Sequence, residues 1–235
     1  MSCMTQLTGS VALVTGANRG LGRAFARALL DAGAAKVYAG VRDPESVVDP
    51  DVVPLRLDVT DPEQVAAAAA ALTDVTIVIN NAGIGSGTSA LDPGALANAR
   101  AELEVNYLGT LAVAQAFAPA LAANGGGALV NMLSAASWLS IPAISTYSAS
   151  KSAQWSITNA LRVALRDQGT LVVGVHAGYV DTDLAAHVAG PKIAPEDVAR
   201  QTVAAIAAGE EEVLADDTSR AVKAALSGDL ALLYA

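Results

Sequence analysis

Six short apolar runs, each followed by a segment of helical length, constrain this chain more than any other feature of its sequence. "VALVT" at 11–15, "KVYAGV" at 36–41, "VVPLRL" at 52–57, "VTIVI" at 75–79, "ALVNML" at 128–133 and "LVVGVH" at 171–176 are rich in β-branched residues and mostly non-alternating. That pattern suits strands covered on both faces. The segments between them are alanine-rich, and "RGLGRAFARALLDAG" places Gly33 where a helix C-cap is due. Repeated β-α-β order forces parallel neighbours and right-handed crossovers. The predicted fold is α/β, a doubly wound parallel sheet in three layers (α/β/α), with residues 1–235 forming a single domain. No linker rich in Pro, Gly or Ser divides the chain, and "NGGG" at 124–127 reads as a turn.

Composition enters where other classes must be excluded. Hydrophobic residues make up 53% of the chain, but much of that is alanine. The longest apolar candidate, "LAVAQAFAPALAA", is interrupted by Gln115 and Pro119, so no run of the about eighteen residues a membrane helix needs is expected. The N-terminus shows no basic segment ahead of an apolar core, and the expectation is a soluble cytoplasmic protein that does not engage a membrane. A net charge of -9 with fourteen scattered basic residues opposes a nucleic-acid surface. Cys3 is the only cysteine, and His176 and His187 have no ligand partners nearby in sequence, so no metal site is expected.

Directly after the first strand comes "TGANRGLG", with Gly16, Gly20 and Gly22 opening onto a helix. Tight turning and close approach of backbone to a ligand both demand glycine, and a helix N-terminus attracts the charge of a pyrophosphate. The spacing is TGxxxGxG rather than GxGxxG, but strand, loop and helix follow in the order a dinucleotide site requires. Asn18, Arg19 and Leu21 fill the rest of the loop. At the end of the second strand a carboxylate favours a free ribose hydroxyl and an Arg favours its phosphate. Here stands Arg42, with Arg19 as a second guanidinium; Asp43 follows, where it either begins the turn "RDPES" or pairs with Arg42. NADPH is the preferred cofactor, ahead of NAD.

Tyr147 and Lys151 lie four apart in "STYSASKSAQW", which puts them on one side of a helix. Spacing alone does not separate chemistry from surface. Together with "TGANRGLG", the "NNAG" at 80–83, Asn106 in "VNYLG" and Ser134 thirteen residues before Tyr147, the chain resembles the short-chain dehydrogenases/reductases, single-domain Rossmann oxidoreductases, from about residue 8 to 190.

The resemblance implies a catalytic set of Asn106, Ser134, Tyr147 and Lys151: the Tyr exchanges the proton, the Ser fixes the substrate oxygen, and the Lys holds the nicotinamide ribose. The Asn holds a water in a proton relay through the Lys. Ser137 is a rival to Ser134 with poorer spacing. A lysine ammonium ~5 Å from the phenol at an effective dielectric of ~20 would favour the phenolate by roughly 3 kcal/mol, lowering the Tyr147 pKa by about two units. The resemblance adds Asp58 and Val59 around the adenine, Asn80, Ala82 and Gly83 near the ribose, and Gly178, Val180 and Thr182 after the sixth strand. Ala177 stands where the family has Pro, which puts the rigidity of that loop in question. A lid is expected at about 183–197, with Trp138, Tyr179, Leu184 and His187 around the substrate.

The implied activity is NADPH-dependent reduction of a ketone or aldehyde, with a small-molecule carbonyl or alcohol as partner. The alternatives are an NAD-dependent alcohol or hydroxysteroid dehydrogenase and, from another class, a non-catalytic nucleotide-binding sensor. A homodimer through the helices carrying Asn106 and Tyr147 is left open. A short strand is expected at 212–215, in a C-terminal segment that departs from the family's tetramer-forming pattern.

Overall fold

The computed structural model describes residues 6–229 and 231–234; Cys3 lies outside the described residues. Seven strands form one all-parallel sheet: β1 (Val11–Thr15), β2 (Lys36–Val41), β3 (Val53–Arg56), β4 (Ile77–Asn80), β5 (Ala128–Met132), β6 (Leu171–His176) and β7 (Glu212–Leu214). Their order is β3-β2-β1-β4-β5-β6-β7. The chain winds one way from β1 to β3 and returns to add β4 on the other side of β1, so a crevice opens between the carboxyl ends of β1 and β4.

The non-alternating strands have the cause expected of them. Ala12 and Val14 point into a core with α1 (Gly20–Asp31) and α6 (Pro195–Ala208), where Phe25, Leu29, Val198 and Ile206 are buried. Leu13 points the other way, into a core with α2 (Pro62–Ala71), α4 (Thr110–Ala123) and α5 (Ser145–Ala164), among Val65, Phe117, Leu121 and Leu161. Both faces of the sheet are therefore apolar. α3 (Ala95–Leu103) precedes α4, and α7 (Asp217–Ala225) follows β7.

One expectation is corrected here. α3, a π-helical segment at Glu104–Gly109 and α4 run on as one helix, Ala95–Ala123, of 29 residues, with an 18-residue stretch of mean hydropathy 1.2, long and apolar enough by length and composition to cross a membrane. Gln115 and Pro119 do not break it. Val113, Ala114, Phe117 and Leu121 bury one side of it in the second core, so its apolar character serves packing against the sheet. The π segment matters to the site, because it carries Asn106.

Candidate cofactor cleft and active site

A cleft of about 850 Å³ follows the carboxyl ends of the strands. Its middle is built by the glycine loop. Gly16 has φ +66°, and a Cβ on Gly22 would collide with the Gly16 carbonyl oxygen, so the loop has no room for side chains there. Asn81 binds the loop to the end of β4: its Nδ2 donates to Thr15 O at 2.9 Å and to Gly16 O at 3.2 Å. α1 starts at Gly20 with no side-chain cap, whereas α2 and α7 are capped by Asp61 and Asp216. Free N–H groups beside a bare loop suit a pyrophosphate.

Towards β2 the cleft is lined by Arg42, Asp43, Ser46, Asp58 and Val59, together with Asn18 and Arg19 of the glycine loop. Asp43 is committed elsewhere. Its carboxylate accepts from Glu45 N at 3.2 Å and caps the turn Pro44–Ser46, leaving Arg42 without an ion-pair partner among the described residues. Asn18 Nδ2 donates to Ser46 Oγ at 3.2 Å, which joins the glycine loop to that turn. Arg19 Nη1 pairs with Asp183 at 3.0 Å.

At the other end Ser134, Tyr147 and Lys151 meet on the cleft wall. Ser134 lies just beyond β5, lines the cleft and caps a turn at Ala135–Ser137; Ser137 closes the reciprocal bond through its Oγ and is buried outside the cleft lining. Tyr147 and Lys151 stand one turn apart on α5, the ammonium 5.8 Å from the phenol ring centre. Burial pushes Tyr147 up to about 12, only partly offset by hydrogen bonding with Ser134, and pushes Lys151 down to about 7. The expected lowering of Tyr147 by Lys151 is thus not realised. Desolvation disfavours both charged forms and is the largest influence on each.

Asn106 is fully buried beside this group. Its Oδ1 accepts from Ile84 N at 2.9 Å, and its Nδ2 donates to Ile84 O and Ser150 Oγ, both at 2.9 Å. The side chain therefore fixes the loop at 83–85, in which Gly83 is bare next to both Asn106 Oδ1 and Lys151 Nζ. Its backbone carbonyl accepts from Thr110 Oγ1 at 2.8 Å.

Gly178, Val180 and Thr182 line the cleft, as do Tyr179, Leu184 and His187. The missing proline is compensated at the next residue: Gly178 N donates to Asp216 Oδ2 at 2.6 Å, and Asp216 is itself fixed as the cap of α7. The segment expected as a lid, 183–197, ends inside a helix, since α6 begins at Pro195. The ends of the loop before α6 are joined by Asp181 N to Ile193 O and Ile193 N to Tyr179 O, both at 2.9 Å.

Two site expectations are corrected. Asn80 does not reach the cleft: β4 extends through it, in register with Asn131, and its Nδ2 donates to Asn131 Oδ1 at 2.9 Å inside the helix–sheet interface. Asn81, one residue on, lines the cleft in its place. Trp138 does not wall the substrate end either. The turn after Ser134 swings it onto His176, ring centres 3.6 Å apart and planes within 14°, and Leu139 faces the cleft instead. Ile141, Ile144 and Thr218 also line the cleft and carry no motif that would have revealed them.

A crevice with bare helix N–H groups at its middle and a Tyr–Lys pair at one end defines a dinucleotide-dependent oxidoreductase. The chain belongs to the short-chain dehydrogenase/reductase family, whose model, short chain dehydrogenase, matches residues 10–192. A solved short chain dehydrogenase from Burkholderia cenocepacia J2315, in complex with NADP, is 42% identical and superposes with a TM-score of 0.93 over 97% of both chains. A short chain dehydrogenase/reductase from Burkholderia phymatum, in complex with NAD, is 28% identical with a TM-score of 0.81, covering 95% of this chain and 93% of that one. Among relatives, the NADP-dependent 3-hydroxy acid dehydrogenase of Schizosaccharomyces pombe is 28% identical over 91% of this chain and 93% of its own.

Proposed function

We propose that the protein is an NADPH-dependent carbonyl reductase. The observation that carries this reading is the meeting of Ser134, Tyr147 and Lys151 on one wall of the cleft, the Lys151 ammonium 5.8 Å from the Tyr147 ring centre, with burial holding Tyr147 in its proton-bearing form. Reduction of a carbonyl needs a group that still has its proton at neutral pH, whereas alcohol oxidation needs the phenolate.

The bound nicotinamide supplies the hydride. Tyr147 gives its proton to the carbonyl oxygen, which Ser134 Oγ holds in place. Lys151 spends two N–H groups behind the cleft, on Met132 O and Gln154 Oε1, and offers the third to the cofactor ribose. Arg42 and Arg19 take the 2′-phosphate, a role supported by the NADP carried by the 42% identical structure and by the cap bond that occupies Asp43; Arg19 leaves the exposed Asp183 to do so. Ile84, Leu139, Ile141, Ile144 and Leu184 form most of the wall near Tyr147, so the substrate is a ketone or aldehyde on an apolar body.

NAD-dependent alcohol oxidation is the second reading, favoured by the NAD in the Burkholderia phymatum structure. The experiment is a panel of apolar ketones, aldehydes and the corresponding alcohols, followed by nicotinamide absorbance with each cofactor. Faster reduction with NADPH than with NADH is expected. Preference for NADH in the oxidative direction would favour the second reading, and cofactor binding with no turnover on any compound would favour a nucleotide-binding sensor.

A further inference from the structure

The lysine of the site is held from behind by a glutamine that no motif singles out. Gln154 follows Lys151 by three residues on α5 and is completely buried, in the interface between α5, α4 and the sheet. Lys151 Nζ donates to Gln154 Oε1 at 2.8 Å and to Met132 O at 2.9 Å. On its other side Gln154 Nε2 donates to Thr110 Oγ1 at 2.8 Å, and that hydroxyl donates to the Asn106 carbonyl at 2.8 Å. The amide orientation is forced at both ends. An ammonium only donates, so it faces Oε1; a hydroxyl whose proton is spent on a carbonyl accepts, so it faces Nε2.

We propose that Gln154 is a positioning residue for the reaction, fixing the place of the Lys151 ammonium and favouring its charged form through a buried amide oxygen. The physical need is plain. An ammonium taken out of water tends to lose its proton unless dipoles replace its hydration, and here one backbone carbonyl and one amide do so. Thr110 keeps the amide from rotating, and the π segment places the carbonyl that in turn holds Thr110. The titratable group beside Lys151 is Tyr147 on its own helix, which in turn feels Glu102 on α3, bonded to Ser86, and Tyr179; the sheet side offers the Met132 carbonyl. An amide also holds a proton donor without passing the proton on, so this side of Lys151 is a support rather than an exit.

The proposal rests on the oxidoreductase reading only for its kinetic arm, and its first test needs no turnover. The chain has four lysines, so their 13C-labelled Cε resonances can be followed through a pH titration of the full-length protein, with Lys151→Arg giving the assignment. Gln154→Met, similar in volume, is expected to lower the Lys151 midpoint by about one to two pH units, the worth of a hydrogen bond to a charged group. Gln154→Glu is expected to raise it above the wild-type value. An unchanged midpoint in Gln154→Met overturns the proposal. Should that variant not fold, Thr110→Val frees the amide and is expected to shift the midpoint in the same direction by less; no shift there overturns it equally. In the kinetic arm, the acid–base profile of kcat/KM for carbonyl reduction moves with the Lys151 midpoint across the Met and Glu variants. A wild-type enzyme that reduces no carbonyl would defeat the proposed function while leaving the titration to decide the role of Gln154.

Discussion

Arg19 Nη1 and Asp183 Oδ2 lie 3.0 Å apart, an ion pair that joins the glycine loop to the segment after β6 across the mouth of the cleft. Both side chains are about three-quarters exposed, at 74% and 77%, and such pairs are worth about 0–1 kcal/mol. Arg19 can therefore leave Asp183 for a phosphate at little cost. Asp183→Asn removes the competitor and a nearby negative charge. The expected outcome is NADPH binding tighter by up to about fivefold, with NADH affinity unchanged, measured by calorimetric titration. An equal gain for both cofactors would show that Arg19 does not meet the 2′-phosphate.

Arg42 lines the same end of the cleft, and the Asp43 carboxylate beside it is bonded to Glu45 N as the cap of Pro44–Ser46. A guanidinium with no carboxylate partner is ready to make charge-assisted bonds to a phosphate. Arg42→Asp both deletes them and places a negative charge near the ribose. NADPH should bind about ten- to a hundredfold more weakly, while NADH loses little. Parallel losses in the two dissociation constants would assign Arg42 to general electrostatics alone.

The sheet was legible because both its faces are buried, which leaves unbroken β-branched runs, and because the glycine loop must be bare where Gly22 meets the Gly16 carbonyl. Ser134, Tyr147 and Lys151 were legible as spacings. What spacing does not carry is direction. The last residue of β4 points into the helix layer and the next into the cleft, so a strand end shifted by one residue exchanges Asn80 for Asn81. The turn capped by Ser134 and Ser137 likewise decides that Leu139, not Trp138, faces the cleft. Gln154, Asp216 and Ser46 act through contacts 38 to 44 residues away, or 28 for Ser46 with Asn18, and such contacts leave no local trace in the sequence.

The Tyr147 pKa sets the pH behaviour of the two directions. A hydroxyl held at about 12 stays protonated through neutral pH, so kcat/KM for reduction should show no loss from Tyr147 ionisation between pH 6 and pH 9. Oxidation needs the phenolate, whose fraction rises about tenfold per pH unit below the pKa, and the oxidative rate should climb accordingly over the same range. Tyr147→Phe should cut reduction by about 10²- to 10⁴-fold with cofactor still bound. A Tyr147→Phe variant that binds cofactor and still reduces carbonyls at the wild-type rate would place the proton on another group.

His176 stands behind Ser134, its Nδ1 at 3.1 Å from the Ser134 carbonyl oxygen and its ring stacked on Trp138. A carbonyl only accepts, so the neutral imidazole carries its proton on Nδ1 and donates it there. Burial holds the ring down to about 4 against the ordinary 6.5. A folded pKa below the unfolded one means that the unfolded chain binds the extra proton first. The stability this group preserves is thus fully present above pH 6.5 and is lost as pH falls through 4. Between pH 7 and pH 4.5 that loss amounts to about 2 kcal/mol. His176→Gln keeps a donor for Ser134 but has nothing to titrate. Its urea-unfolding free energy should start lower at pH 7, from lost stacking on Trp138, yet fall by about 2 kcal/mol less than that of the wild type between those pH values. Parallel pH dependences for the two proteins would mean that acid unfolds the chain through its carboxylates, with His176 already exchanging protons in the folded state.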